Sequence, residues 1–451
     1  MTPAYSDFDL PIYINTSPAI NLIGSVNDKE VIVPLSVPDI MLAQVILGLN
    51  CLLISDTGRG KTQLVQGIRD TWFGGSGNDG KANYFVARPK MSSLRQLFEI
   101  TEIDTSEGKY SSRNTHLDEN RVQRLLLAVD EMNRIPELMQ AELFDLADGT
   151  YNFGGQSIHL GKDGYSCFIG TANVNRNGDN GFSGTFSFDR ALLSRAHVTL
   201  DLDHPRFRPT PEDKLILAER GYQGPKVKTS EIRDLSSEIL VINQTLKTFS
   251  KQKDVSRTVF RFLIDEALDY CLRDTWNDKD GCFPMSCPEC EHKSKLCSLA
   301  KSSSERTVQA VEGLALGFNY VASMKYPDIV LDSLDCLLEA FKLTSYHGNL
   351  NSVVLAERFN GRRQFMMELV SSKLRDVIDK IKPFVVDNKL KNELYSFISH
   401  DGKTYYFDVS NSQLKKQLDD KSYSYNLIKL EDILSAEGLG SSWVSSISKR
   451  S

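Results

Sequence analysis

Residues Ser55-Asp56-Thr57-Gly58-Arg59-Gly60-Lys61-Thr62 join an apolar run, 51–54, to a segment of helical character, 63–72, that opens on Gln63. A strand, a glycine-bearing loop ending in Gly-Lys-Thr and a helix, in that order, form the layout of a phosphate-binding loop. Such a loop turns successive backbone N–H groups and a helix N-terminus toward one anion. Lys61 would then reach the β- and γ-phosphates of a nucleotide, and the Thr62 hydroxyl would ligate Mg²⁺. Ser55 stands where the first glycine of such loops usually lies. A side chain there restricts the backbone, yet Lys61 and Thr62 keep their places.

Two further constellations suit the same chemistry. The run Leu125-Leu126-Leu127-Ala128-Val129 ends in Asp130-Glu131, so that Asp130 would hold the Mg²⁺ shell while Glu131 orients or deprotonates an attacking water. The run Phe168-Ile169-Gly170-Thr171-Ala172 ends in Asn173. Ligands of open α/β sheets sit at the carboxyl ends of strands, where Asn173 could hold the water or a γ-phosphate oxygen; an Asn after a strand is also an ordinary turn residue.

The elements that must position these residues are legible as a pattern. Apolar runs at 50–54, 83–87, 125–129, 166–170 and 196–202 alternate with helix-length segments, which predicts an α/β fold with a mostly parallel five-stranded sheet covered on both faces. Residues 1–30 are rich in Pro, Asn and Ser and are expected to be irregular; 205–230 hold four prolines and read as a linker; 230–345 have helical periodicity throughout. After 349 the pattern is mostly helical, with a β-like stretch near 403–409. The chain has 451 residues, 25% charged and 41% hydrophobic, enough for two or three globular domains. A net charge of −6 gives no global case for nucleic-acid binding. No run approaches the roughly 20 apolar residues that span a bilayer, so no membrane insertion is expected. The N-terminus lacks a basic start and an apolar core of signal-peptide length, which implies a cytoplasmic protein.

Taken together these motifs resemble the AAA+ ATPases, and among them the MoxR-like group, whose Asp-Glu-Ile-Asn-Arg-Ala-Pro block is similar to Asp130-Glu131-Met132-Asn133-Arg134-Ile135-Pro136 here. The similarity continues through 140–149. Residues 150–160, with Gly154-Gly155, resemble the hairpin that precedes the Asn-bearing strand in this clade, and 109–120 fall where the clade inserts a hairpin into its second helix. The resemblance implies a P-loop NTPase core at 31–212, a helical lid at 213–345 and a C-terminal appendage at 346–451, preceded by 1–30. It implies hydrolysis of ATP to ADP and phosphate with Mg²⁺, in a homo-oligomeric ring, expected to be a hexamer. ATP and GTP are not distinguished by these motifs.

Phe188-Asp189-Arg190-Ala191-Leu192-Leu193-Ser194-Arg195 leads into the fifth apolar run. In the family an arginine here enters the neighbouring subunit's nucleotide site and stabilises charge on the transferring phosphoryl. Arg195 matches better by position and Arg190 is the alternate. Ser302-Ser303-Ser304-Glu305-Arg306 resembles the lid motif, in which Arg306 would contact the γ-phosphate; the same residues also make a good helix cap.

One feature has no counterpart in the MoxR-like pattern. Cys282, Cys287, Cys290 and Cys297, with His292 as an alternate ligand, fall inside an insertion at 274–301. Four soft ligands with one close pair suit a structural Zn²⁺; an iron–sulfur cluster and free thiols are the other readings. The expected partner, by resemblance, is a protein client to be remodelled or matured, often with a von Willebrand factor A-domain protein. The same clade holds nucleic-acid machines such as helicases and McrB-type GTPases, and a non-hydrolysing nucleotide switch is the third reading.

Overall fold

The structure, a computed structural model, describes residues 3–11, 13, 17–56, 58–75, 81–86, 97–104, 111–136, 139–173, 188–219, 232–251, 254–269, 295–385, 393–398, 404–409 and 421–439. The chain divides into two compact units. One comprises Met1–Ser250, Gln309–Asp332 and Leu343–Gly348, and the other Lys251–Val308, Ser333–Lys342 and Asn349–Ser451.

The first unit begins with β1 (Pro18–Val26) and β2 (Lys29–Ser36), paired antiparallel. The expectation of an irregular 1–30 is corrected here. Asn27 and Asp28 both take left-handed backbone (φ 49° and 62°), the geometry of a tight hairpin turn, so the polar pair marks a turn between strands rather than a loop. Ser36 then caps α1 (Val37–Ile46), its hydroxyl accepting from the Asp39 N–H while the Asp39 carboxylate accepts from the Ser36 N–H.

Next come β3 (Cys51–Ser55), α2 (Lys61–Trp72), β4 (Ala82–Val86), a hairpin of β5 (Glu99–Asp104) and β6 (Ser111–Leu117), α3 (Glu119–Val122) and β7 (Leu126–Asp130). They are followed by α4 (Gln140–Ala147), a hairpin of β8 (Thr150–Phe153) and β9 (Gln156–His159), β10 (Cys167–Asn173), α5 (Arg190–Leu193) and β11 (Val198–Asp201). The expected linker at 205–230 instead carries α6 (Pro211–Glu219), with Pro211 at its first turn, where a missing N–H costs nothing. The unit continues in α7 (Ser236–Phe249).

Strands β11-β3-β10-β7-β4 form one parallel sheet in that order. Residues of β3, β7 and β11 are buried throughout, which is why these strands read as apolar runs and not as alternating patterns. The register aligns Asn173 with Ser55 and Val86 with Asp130, so the carboxyl ends lie along one edge of the sheet. Leu52, Ile54, Leu127, Val129 and Phe168 pack with Leu143, Leu146 and Leu192 in the core beneath that edge.

The second unit holds α8 (Val255–Ile264), α9 (Glu266–Asp269), α10 (Leu296–Leu299) and the first residues of α11 (Glu305–Lys325), whose remainder, with β12 (Val330–Leu331) on the edge of β1, belongs to the first. It then includes α12 (Ser333–Lys342), α13 (Ser352–Phe359), α14 (Arg363–Val385), an antiparallel pair β13 (Glu393–Ile398) and β14 (Thr404–Val409), and α15 (Lys421–Ala436). Phe260 of α8 meets Phe341 of α12 edge-on at 6.0 Å, and Arg375 of α14 pairs with Asp335 of α12. Among the described residues no helix is long and apolar enough to cross a membrane.

Candidate functional site

The loop between β3 and α2 is shaped by its glycines. Gly58 and Gly60 take φ of 75° and 81°, conformations that L side chains rarely adopt, and a Cβ at Gly58 would meet no atom within 4 Å. The loop is therefore open at its crown. Thr57 lies outside the described residues. Lys61 is the first residue of α2 and is buried. Its Nζ donates to Ser55 Oγ (2.7 Å), the Asp56 carbonyl (2.9 Å) and the Ser55 carbonyl (3.1 Å). Burial holds the ammonium below the ordinary lysine value, opposed by the negative charges of Asp203, Asp130, Asp56 and Glu131.

The acids stand beside this loop. Thr62 Oγ1 donates to Asp130 Oδ2 at 3.0 Å, Tyr84 Oη donates to the same oxygen at 2.9 Å, and Thr171 Oγ1 donates to Asp130 Oδ1. Burial and the Asp130 carboxylate raise the Tyr84 phenol well above its ordinary range, so it stays a donor. Glu131 has left-handed backbone (φ 57°, ψ 42°) and its carboxylate pairs with Arg134 at 3.0 Å. Asn133 Nδ2 donates to the Asn173 carbonyl (2.6 Å) and its Oδ1 accepts from the Asn173 N–H (3.3 Å), fixing the backbone at the end of β10.

The structure thus brings together Ser55, Asp56, Gly58, Arg59, Gly60, Lys61, Thr62, Asp130, Glu131 and Asn173 at one edge of the sheet. Its hard oxygen pair, the Thr62 hydroxyl against the Asp130 carboxylate, suits Mg²⁺ bound through one carboxylate and substrate phosphates.

Sequence reasoning missed three members. Asp203, just past β11, is nearly sealed from solvent; its Oδ2 accepts from the Asp56 N–H at 2.7 Å and its Oδ1 from Arg59 Nε at 2.8 Å, clamping the loop. Thr171 lies two residues before Asn173 on the same strand, and that period-2 spacing was the available signal. For Tyr84 the sequence holds no signal, because only the pairing of β4 with β7 brings it to Asp130.

The candidate arginines differ. Arg195 is tied within its own chain, donating to Asp148 Oδ2 (2.8 Å) and the Ala191 carbonyl (3.1 Å) with its guanidinium 5.1 Å above the Phe144 ring centre. Arg190, at the start of α5, is exposed, with one 3.4 Å bond to the Gly348 carbonyl. Arg306 is exposed on the first turn of α11. Of the cysteines, Cys282, Cys287 and Cys290, and with them His292, lie outside the described residues; Cys297 is a half-buried residue of α10. Among the described residues no three His, Cys, Asp or Glu side chains gather as a metal site.

No family model matches the chain, and no curated protein matches it. Among solved structures it is similar to a crystal structure described as a "putative ATPase" from Cytophaga hutchinsonii, with 16% identity and a TM-score of 0.50 over 75% of this chain and 87% of that one. Likeness at that identity is likeness of fold alone, here an α/β fold built on a parallel five-stranded sheet.

Proposed function

We propose that this chain is a Mg²⁺-dependent ATPase of the AAA+ type, similar to the MoxR-like group, converting ATP and water to ADP and phosphate at the carboxyl ends of β3, β7 and β10. The observation that carries this reading is the 3.0 Å approach of Thr62 Oγ1 to Asp130 beside the buried Lys61 ammonium, with Glu131 next in the chain. The loop N–H groups and Lys61 bind the polyphosphate. Thr62 and Asp130 would hold Mg²⁺, which supplies charge neutralisation at the β- and γ-oxygens. Glu131 takes the proton of the attacking water or orients it, and Asn173 lies at the adjoining strand end for the same water or a γ-oxygen.

The working form in this proposal is a homo-oligomeric ring, a hexamer by family resemblance, with an arginine from the neighbour completing each site. Arg190 suits that task better than Arg195, because Arg195 is already engaged by Asp148 and Phe144. The client is a protein. Supporting that choice over nucleic acid, the exposed residues of the β8–β9 hairpin are Asn152, Gly154, Gly155, Gln156, Ser157 and His159, with no Lys or Arg to neutralise phosphate.

The test is ATP hydrolysis per subunit, followed over a wide range of protein concentration with Mg²⁺ present, GTP being run in parallel. Turnover rises with concentration, and Glu131→Gln lowers it by about 10²–10⁴-fold while ATP still binds. A Glu131→Gln protein with wild-type turnover sinks the reading.

A further inference from the structure

The segment 130–133 is laced to β10 at three consecutive points. Gly170 lets the Met132 side chain lie against the strand: a Cβ at that glycine would stand 1.8 Å from Met132 Sδ. Asn133 grips the Asn173 backbone through both ends of its amide. Between them Thr171, 1% exposed, turns a single hydroxyl on both acids. Its Oγ1 donates to the Asp130 carboxylate and accepts from the Glu131 N–H at 2.9 Å.

The second of these bonds bears on conformation. Left-handed backbone at a non-glycine residue persists only where the surroundings impose it, and the Thr171 oxygen captures the N–H of the residue so held. A different Glu131 backbone conformation would leave that buried oxygen without its donor and would swing the carboxylate off the strand end.

Resting on the ATPase reading, we infer that Thr171 is the positioning residue of the site: it fixes the aim of Glu131 through the backbone and of Asp130 through the carboxylate, without touching the nucleotide. Asp130 keeps Thr62 and Tyr84 as donors when Thr171 loses its hydroxyl, so nucleotide binding survives and the loss falls on turnover. Serine can replace threonine in this role. Valine, of the same shape, cannot.

The experiment uses the full chain with Thr171→Val and Thr171→Ser, reading steady-state ATP hydrolysis, calorimetric ATP binding with Mg²⁺, and hydrogen exchange at the Glu131 amide. Thr171→Val lowers kcat about 10–100-fold, the usual effect of losing an outer-shell partner. KM and ATP affinity stay within about threefold, and amide 131 exchanges faster. Thr171→Ser returns kcat and exchange to near wild type. Equal loss in the two variants, wild-type kcat in Thr171→Val, or unchanged exchange at amide 131 overturns the inference. Should Thr171→Val not fold, Thr171→Ala removes the same hydroxyl and carries the same readouts. A wild-type protein without ATP turnover would instead sink the proposed function, and the exchange of amide 131 would still decide whether Thr171 positions Glu131.

Discussion

The two halves of the site hold their charged groups by different means. Lys61 is held by its own segment: the three oxygens around its ammonium belong to residues five and six positions away. Asp130 is held by Thr62, Tyr84 and Thr171, which are 68, 46 and 41 positions away and come from a helix and two other strands. The hold on Lys61 is thus a property of one strand–loop–helix unit, with Asp203 from past β11 added as a clamp on the loop backbone and Arg59. The acid half exists only when β4, β7 and β10 are in register. Damage to the sheet should therefore disable the acids before it disables phosphate binding, because buried hydrogen-bond networks lose function once one member is displaced.

The sharpest way to break this contrast is to remove the loop's charge. Lys61→Met deletes the ammonium that the loop is built around, and charged hydrogen bonds are worth about 1.5–3 kcal/mol each. ATP affinity, measured by calorimetry, falls by about 10–100-fold on that basis. ATP bound at wild-type affinity would mean that this loop is not the phosphate cradle.

Gly170→Ala attacks the other half. The new methyl group would stand 1.8 Å from Met132 Sδ, and Met132 follows Glu131 directly, so either the methionine or the strand must shift. Overpacking of this kind costs about 1–3 kcal/mol. A lower unfolding temperature and reduced turnover are expected, with ATP affinity kept below the transition. A Gly170→Ala protein that lost ATP binding and turnover together would show the two halves to be one unit and end the contrast.

The same division explains what was legible in the sequence. Strands β3, β7 and β11 could be read because strands buried on both faces must be continuous apolar runs. The strand–loop–helix geometry around 55–62 could be read because its constraints are local: glycines where φ is positive and a lysine at the helix start. The hairpin expected at 109–120 was read with the wrong start; its first strand begins at Glu99, since a polar hairpin lacks the apolar signal of a core strand. Tyr84 and Asp203 stayed hidden for a different reason. Each is an ordinary residue in its own segment, and only strand register or chain return brings it to Asp130 or the loop. Residues 1–30 were expected to be irregular because polar residues such as Asn27 and Asp28 serve loops and hairpin turns alike.

The smallest effect sharpens the comparison most, because it concerns the one residue by which the loop departs from the usual glycine. Ser55 Oγ accepts from Lys61 Nζ at 2.7 Å while donating to the Asp56 carbonyl at 2.8 Å. The hydroxyl thus holds the ammonium back against the base of the loop. A bound polyphosphate must draw Lys61 away from it. Ser55→Ala keeps the side-chain carbon and removes both bonds, of which the one that restrains the ammonium is worth about 0.5–1.5 kcal/mol. ATP affinity should therefore tighten by about two- to tenfold, with kcat unchanged. Weaker binding in Ser55→Ala would instead place the hydroxyl among the groups that face the phosphates. The loop would then be complete in a form that serine improves, and its local hold on Lys61 would be a way of pre-aiming the ammonium rather than restraining it.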